Sequence, residues 1–344
     1  MNKLKRLFAA VLACTALFAA TACGQDTATA LTINGTEIPA GVYIYYLSAA
    51  ASEANSTYTT EVTDGSVDFW SYKIDDTDVK TWIENKAIES CKRYVANLSL
   101  ADEYNAALTS DQKKQINTSV DSNWENYSET ITKMGISKES YAKVYENTYI
   151  ENNIFSAIYG IDGKTPVADA ELQKYMTEIL ARTKFIQFSL KDKDQNAITA
   201  AAKEELIAKA KGYADRINAG ESFEKIKDEY NETVSDITDP YENETWIWVE
   251  ATSPSESFVK KVFEAPADGT ATTFEDGDYY YLLQRLDASE REDYFDENRD
   301  SLLSEYKDDE FEEFIKKAYA DYEVVRNEKA IKRYDAKKMN FLGE

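Results

Sequence analysis

The chain of 344 residues contains no histidine. That absence removes Ser-His-Asp and Cys-His catalysis, histidine-ligated zinc and the side chain that ordinarily serves as a general base near neutral pH. Basic residues are scarce as well: 39 Lys and Arg stand against 63 Asp and Glu, for a net charge of −24. Nucleic acid rewards clustered Lys and Arg, and anionic lipid rewards polybasic patches, so this balance argues against both as partners. Solubility alone accounts for the acidic surplus. Glycine is sparse, at 12 residues, and no Gly-rich phosphate loop is present. Asp192-x-Asp194-x-Asn196 opens like a calcium loop, but Ala197 stands where the turn needs glycine and Lys203 where a glutamate should chelate. The run from Asp308 to Phe314 reads as an amphipathic helix with an acidic outer face. Neither a metal nor a cofactor is expected.

At the N-terminus, Lys3, Lys5 and Arg6 precede an apolar run from Leu7 to Ala20. The run is shorter than the roughly twenty residues needed to span a bilayer and has the pattern of a signal peptide. It ends in Ala20-Thr21-Ala22-Cys23-Gly24, which resembles the lipobox of bacterial lipoproteins, with Ala20 where Leu is more usual. The resemblance implies a signal peptide over residues 1–22, acylation at Cys23 and a tether over 23–30. The protein would then be lipid-anchored on the extracytoplasmic face of the cell membrane. More than one acyl chain gives stable attachment where a single chain binds reversibly. Cys14 belongs to the signal, so Cys91 is the remaining thiol. In helical register with Ile88 and Val95, it reads as a buried small hydrophobe rather than a nucleophile. No intrachain disulfide forms unless Cys23 is left unacylated.

The mature part is long enough for two or three domains. Leu31 to Ile38 shows two short alternating runs around Asn34-Gly35, a hairpin signal. Val42, Tyr45 and Tyr46 begin a helical spacing, and Asn55 to Asp68 reads as a polar loop. From Asp78 to Tyr159 the period is helical, with a capping box at Thr109-Ser-Asp-Gln112 and a further cap at Ser137. Gly160 to Pro166 is a linker. A short helix from Ala170 to Leu180 leads into a strand over Thr183 to Leu190. Helices follow over Thr199 to Ala219 and Phe223 to Tyr230, then a strand at Trp246 to Val249, a helical turn from Phe258 to Phe263 and a strand from Asp278 to Leu286. This succession makes a compact α+β module of about 110 residues. Tyr294 to Tyr334 returns to an acidic helical pattern.

Within that module, Lys209 to Phe223 resembles the helix, Ala-Gly stop and following Ser-Phe of parvulin-type peptidyl-prolyl isomerases. Tyr230 to Asp236 resembles their stretch ending in Ser-Asp. Trp248, Phe258 and Phe263 reproduce the spacing of three of their aromatics, and Gly277 to Leu283 resembles their closing strand. With the anchor and the flanking helices, nearly the whole mature chain is similar to the PrsA-type foldase lipoproteins and the related SurA-type chaperones. Ile33 to Ile38 leading into a helix resembles the opening of their chaperone domain. The resemblance implies an α+β protein: a mostly helical chaperone domain with a small parvulin-like module inserted. Its parts would be an N-terminal helical domain over 31–165, a connecting helix over 166–180, the parvulin-like domain over 181–289 and a C-terminal helical region over 290–344. That last region would pack on the N-terminal domain.

Carried over one position at a time, the family's first catalytic histidine falls on Phe185. The second falls on Tyr281, with Tyr280 adjacent as the alternative, and the Cys/Asp position falls on Ile237. The pocket's Met falls on Pro254, the Gln before it on Ser253, and Phe258 is retained. A phenyl ring, a phenol and an aliphatic chain thus replace the polar network, and of the three only Tyr281 can donate a hydrogen bond. The expected function is a membrane-anchored extracytoplasmic chaperone or foldase acting on unfolded or newly exported polypeptides, with isomerase catalysis impaired. Phe185, Trp248, Ser253, Pro254, Phe258 and Tyr281 are the candidate peptide-binding residues, although aromatics such as Trp248 and Phe263 equally suit a core. Two alternatives compete: an active but divergent prolyl isomerase, and a solute-binding lipoprotein. The latter predicts two lobes of repeated strand–helix units, which this pattern does not show.

Overall fold

The computed structural model describes residues 28–63, 65–232, 241 and 243–338. The expected signal peptide (1–22), the lipidation candidate Cys23, and Ile237 with Ser235 and Asp236 lie outside the described residues. Two compact units result. One comprises the residues up to Pro166 together with those from Lys307 onward; the other is Val167–Tyr306, inserted between them in sequence.

Strands β1 (Thr29–Ile33) and β2 (Thr36–Pro39) form the hairpin expected at Asn34-Gly35, whose residues adopt φ of 47° and 79°. Thr29 and Ala30, expected in the tether, open β1 instead, and Ala30 is fully buried. Helix α1 (Ala40–Glu61) follows directly. It overturns the expectation of a loop from Asn55. The Thr and Ser side chains that suggest a loop return their hydroxyls to the helix, Thr57 to the Glu53 carbonyl, Thr59 to Asn55 and Thr60 to Ser56. Tyr58 anchors the same turns against Phe69 and Tyr72, with ring centroids 5.3 and 5.4 Å away.

A small ribbon, β3 (Lys73–Ile74) and β4 (Thr77–Asp78), leads into α2 (Val79–Glu103), α3 (Ser110–Lys133) and α4 (Lys138–Tyr159). The Thr109–Gln112 capping box starts α3, and the Ser137 hydroxyl accepts from the Ser140 N–H to start α4. Their apolar faces enclose one core around Tyr43, Ile44, Leu47, Ile83, Cys91 and Val144. Burial raises the Cys91 thiol far above its ordinary range, as suits an inert core residue.

The inserted unit begins with α5 (Asp169–Ile179), which runs without a break into β5 (Leu180–Ser189). Helices α6 (Ala200–Asn218) and α7 (Phe223–Asn231) precede β6 (Thr245–Trp248). After α8 (Glu256–Glu264) come β7 (Ala271–Asp276) and β8 (Tyr279–Leu286). The four strands form one antiparallel sheet in the order β6-β5-β8-β7. Helices α6 and α7 cover one face, over Ile186, Phe188, Leu190, Tyr280 and Leu282. β7 has no counterpart in the sequence reading.

Helix α9 (Glu292–Tyr319) starts in the inserted unit and ends in the helical one. The helical pattern expected as far as Tyr334 is interrupted there. β9 (Val324–Arg326) instead pairs antiparallel with β1, giving a sheet in the order β2-β1-β9, and α10 (Glu328–Ile331) and two 3-10 turns (Lys332–Tyr334 and Ala336–Lys338) close the described chain. Residues 167–180, expected as a connecting helix, and 290–306, expected in the C-terminal region, fall in the same compact unit as the α+β module. Among the described residues no helix is long and apolar enough to cross a membrane.

Candidate functional site

Alternation along β5 and β8 decides which side chains can meet. The register sets Gln187 opposite Tyr281 and Phe185 opposite Leu283, so Phe185 and Tyr281 lie diagonally on the same face. β7 places Phe274 directly across from Tyr281. Helix α8 covers this face, opposite α6 and α7, and lowers Phe258 into it.

Four rings therefore gather. Phe258 lies 4.7 Å from Tyr281 and 5.5 Å from Phe185, centroid to centroid. Phe274 stacks on Tyr281 at 5.4 Å, and Phe185 lies 6.3 Å from Tyr281. Phe258 and Tyr281 are the floor, 0% and 1% exposed, while Phe185 and Phe274 are half-buried. Tyr280 points to the opposite face and hydrogen-bonds Thr273 at 3.0 Å, so Tyr281 is the tyrosine that joins the cluster.

Helix α8 is held in place by the residue that caps its N-terminus, Ser255. The Ser255 hydroxyl accepts from the Phe258 N–H and donates to the Asp276 carboxylate on β7. Asp276 thus ties the helix that carries Phe258 to the strand that carries Phe274. It is also the charged group closest in effect to Tyr281: burial raises the phenol above its ordinary value, and the Asp276 charge adds to the rise. Among the described residues, none hydrogen-bonds the Tyr281 hydroxyl.

Not every candidate arrives here. Ile247 of β6 faces the cluster, so its neighbours Trp246 and Trp248 point away. Trp248 is 39% exposed at the strand's end, and Trp246 stacks on Tyr294 at 3.8 Å. Ser253 and Pro254 are exposed in the loop before α8. Phe274 and Asp276, by contrast, escape the sequence reading because they lie on the strand it lacks. The signal for them is the turn at Gly277, whose φ of 56° reverses the chain between β7 and β8.

Beside the sheet, Glu244 sits between two guanidinium groups, 2.6 Å from Arg182 and 2.7 Å from Arg291, with its side chain 3% exposed. Arg291 also stacks on Tyr241 at 3.6 Å. Among the described residues no group of acidic or thiol side chains could hold a metal ion.

The inserted unit is an antiparallel α+β module with an aromatic cluster between its sheet and a short helix. No protein-family model matches the sequence, and no curated protein matches it. Solved structures similar to it are foldases. PrsA from Bacillus subtilis is 15% identical, with 78% of this chain and 94% of that one covered and a TM-score of 0.24. Foldase protein PrsA from Streptococcus pneumoniae is 13% identical, with 75% and 89% covered and a TM-score of 0.30. Foldase protein PrsA from Lactococcus lactis is 16% identical, with 91% and 99% covered and a TM-score of 0.33. At such TM-scores a whole-chain likeness carries no weight of its own, and the functional reading rests on this chain's residues.

Proposed function

We propose that the protein is a membrane-anchored extracytoplasmic chaperone or foldase that holds exported polypeptides, and that its α+β module binds chain without isomerising it. One observation carries the proposal. Phe185, Phe274 and Tyr281 of one sheet face gather with Phe258 of α8, and two of these rings, Phe185 and Tyr281, stand where the parvulin resemblance calls for histidines. Losing the resonance of an amide costs about 18–20 kcal/mol, and a twisting bond needs polar groups around it. This cleft offers apolar rings, one phenol and one carboxylate. Apolar side chains of a client would meet the half-buried Phe185 and Phe274, above the floor formed by Phe258 and Tyr281. Weak, permissive grip of this kind suits a holding function.

Two assays on the mature protein test the reading together. It should suppress aggregation of an unfolded client, and in a protease-coupled assay on an X-Pro peptide it should leave the isomerisation rate at the uncatalysed value. A rate enhancement that disappears in Tyr281→Phe would establish the divergent isomerase instead. Failure to suppress aggregation would remove the chaperone reading. The anchor is tested separately: Cys23→Ala should abolish incorporation of labelled palmitate and release the protein from the membrane.

A further inference from the structure

The helical unit carries a concavity of its own, where α2, α4 and the last turns of α9 converge. A cavity of about 690 Å³ opens there, within the range of roughly 300–1,000 Å³ usual for ligand pockets. Tyr104, Ile158 and Phe314 supply apolar surface, and Tyr104 meets Phe314 edge-on at 5.8 Å. Around them stand Lys164, Lys316 and Lys317 and two carboxylates, Glu310 and Glu313. Both carboxylates are engaged. Glu310 accepts from the Tyr159 hydroxyl at 3.1 Å and pairs with Lys307 at 2.6 Å, while Glu313 pairs with Lys316 at 3.7 Å.

Lys164 and Lys317 are left without a carboxylate partner among the described residues, although acidic side chains outnumber basic ones 63 to 39 in the chain. The ammonium of Lys164 lies 3.6 Å from the centroid of the Tyr104 ring. The helix dipole explains a lysine in the last turn of α9. It does not explain Lys164, which stands in the loop beyond α4 and turns back over an aromatic ring. An apolar floor under two unpaired cations complements an apolar side chain next to an anion.

We infer that this cavity binds a polypeptide segment in which an aromatic or large aliphatic side chain neighbours a carboxylate. The apolar side chain rests on Tyr104, Ile158 and Phe314, and the carboxylate is met by Lys164 and Lys317. Glu310, Glu313 and Thr165 line the same cavity. A fatty acyl chain would strip water from these charged and polar groups and return no hydrogen bond for it, whereas a peptide backbone can donate one to them. The inference rests on the chaperone reading for the nature of the occupant, and it adds a charge preference that the aromatic cleft does not supply.

Fluorescence anisotropy on the full mature chain tests it with three labelled peptides in a Gly-Ser context, bearing Phe-Asp, Phe-Lys or Gly-Asp. Phe-Asp should bind most tightly, with Phe-Lys weaker by roughly fivefold, as loss of about 1 kcal/mol of charge pairing implies. The double variant Lys164→Gln, Lys317→Gln should erase that preference, and Phe314→Ala should weaken both Phe peptides. Both lysines are exposed, so circular dichroism and the thermal midpoint should not change in the double variant. Equal binding of Phe-Asp and Phe-Lys, or a preference that survives the double variant, overturns the inference. So does binding of oleate in the absence of peptide binding. If the protein suppresses client aggregation but shows no Phe-Asp preference, the pocket inference falls and the chaperone reading stands. If it neither suppresses aggregation nor binds any of the peptides, both fall.

Discussion

Phe258 and Tyr281 are neighbours in one floor, yet the two substitutions that probe them should behave very differently. Phe258 is fully buried among Phe185, Phe274 and Tyr281, so Phe258→Ala should cost about 3–5 kcal/mol through lost transfer energy and an unfilled cavity. Tyr281→Phe removes a hydroxyl that no described residue hydrogen-bonds and should cost less than about 1 kcal/mol. Urea unfolding followed by tryptophan fluorescence reads both. Asp293 gives a pH signature. Hydrogen bonds from Arg291 hold its carboxyl at about 2, against an ordinary 3.8. A carboxyl depressed on folding stabilises the fold above its unfolded value, and that contribution fades as pH falls from 3.8 through 2. An NMR titration should show the low midpoint in the wild type and an ordinary one in Arg291→Gln. Glu244 is the more severe case. Its removal leaves Arg182 and Arg291 facing each other with little solvent, and Glu244→Ala should cost roughly 3–5 kcal/mol in the same unfolding experiment.

Among the elements, the link between α8 and β7 matters most to the cleft. Ser255→Ala deletes the cap on the Phe258 N–H and the bond to Asp276 together, and should cost about 1–2 kcal/mol. If the cleft grips clients as proposed, the same change should weaken peptide binding there more than it weakens stability. How far such elements can be read from sequence depends on how strongly their side chains alternate. β5 and β8 are dense in β-branched and aromatic residues, so their strands are legible; which of Tyr280 and Tyr281 shares a face with Phe185 depends on a register the sequence leaves open. β7 reads Ala-Thr-Thr-Phe-Glu-Asp at a sheet edge, where one polar side costs nothing and hides the strand. β9 is three residues long and exists because β1 offers it an open edge, a tertiary cause with no local trace. The end of α1 is concealed for the opposite reason. Its Thr and Ser favour loops in isolation, and packing of Tyr58 overrides them.

At the level of the molecule, the two units differ in how the chain makes them. The module is continuous from Val167 to Tyr306, whereas the helical unit is assembled from both ends of the sequence. Its closing contacts are specific: β9 completes the sheet on β1, and Arg93 on α2 pairs with Glu151 of α4 and with Glu312 of α9, each at 2.7 Å. A fragment of residues 167–306 should therefore fold cooperatively alone. Residues 28–166 without the C-terminal segment should lose cooperative unfolding, and circular dichroism melts of the two fragments distinguish these outcomes. The order of elements announces a compact α+β module, and its insertion within a helical domain is what the resemblance to the foldases implies. The long-range pairs that close the helical unit, Arg93–Glu312 above all, join residues too far apart in the chain for any pattern to announce them.

That discontinuous construction bears on the order in which the protein is born. Any machinery that feeds the polypeptide out from its first residue delivers the inserted module whole while the surrounding helices still wait for their final strand. The aromatic cluster is thus in place before the rest of its own molecule has finished.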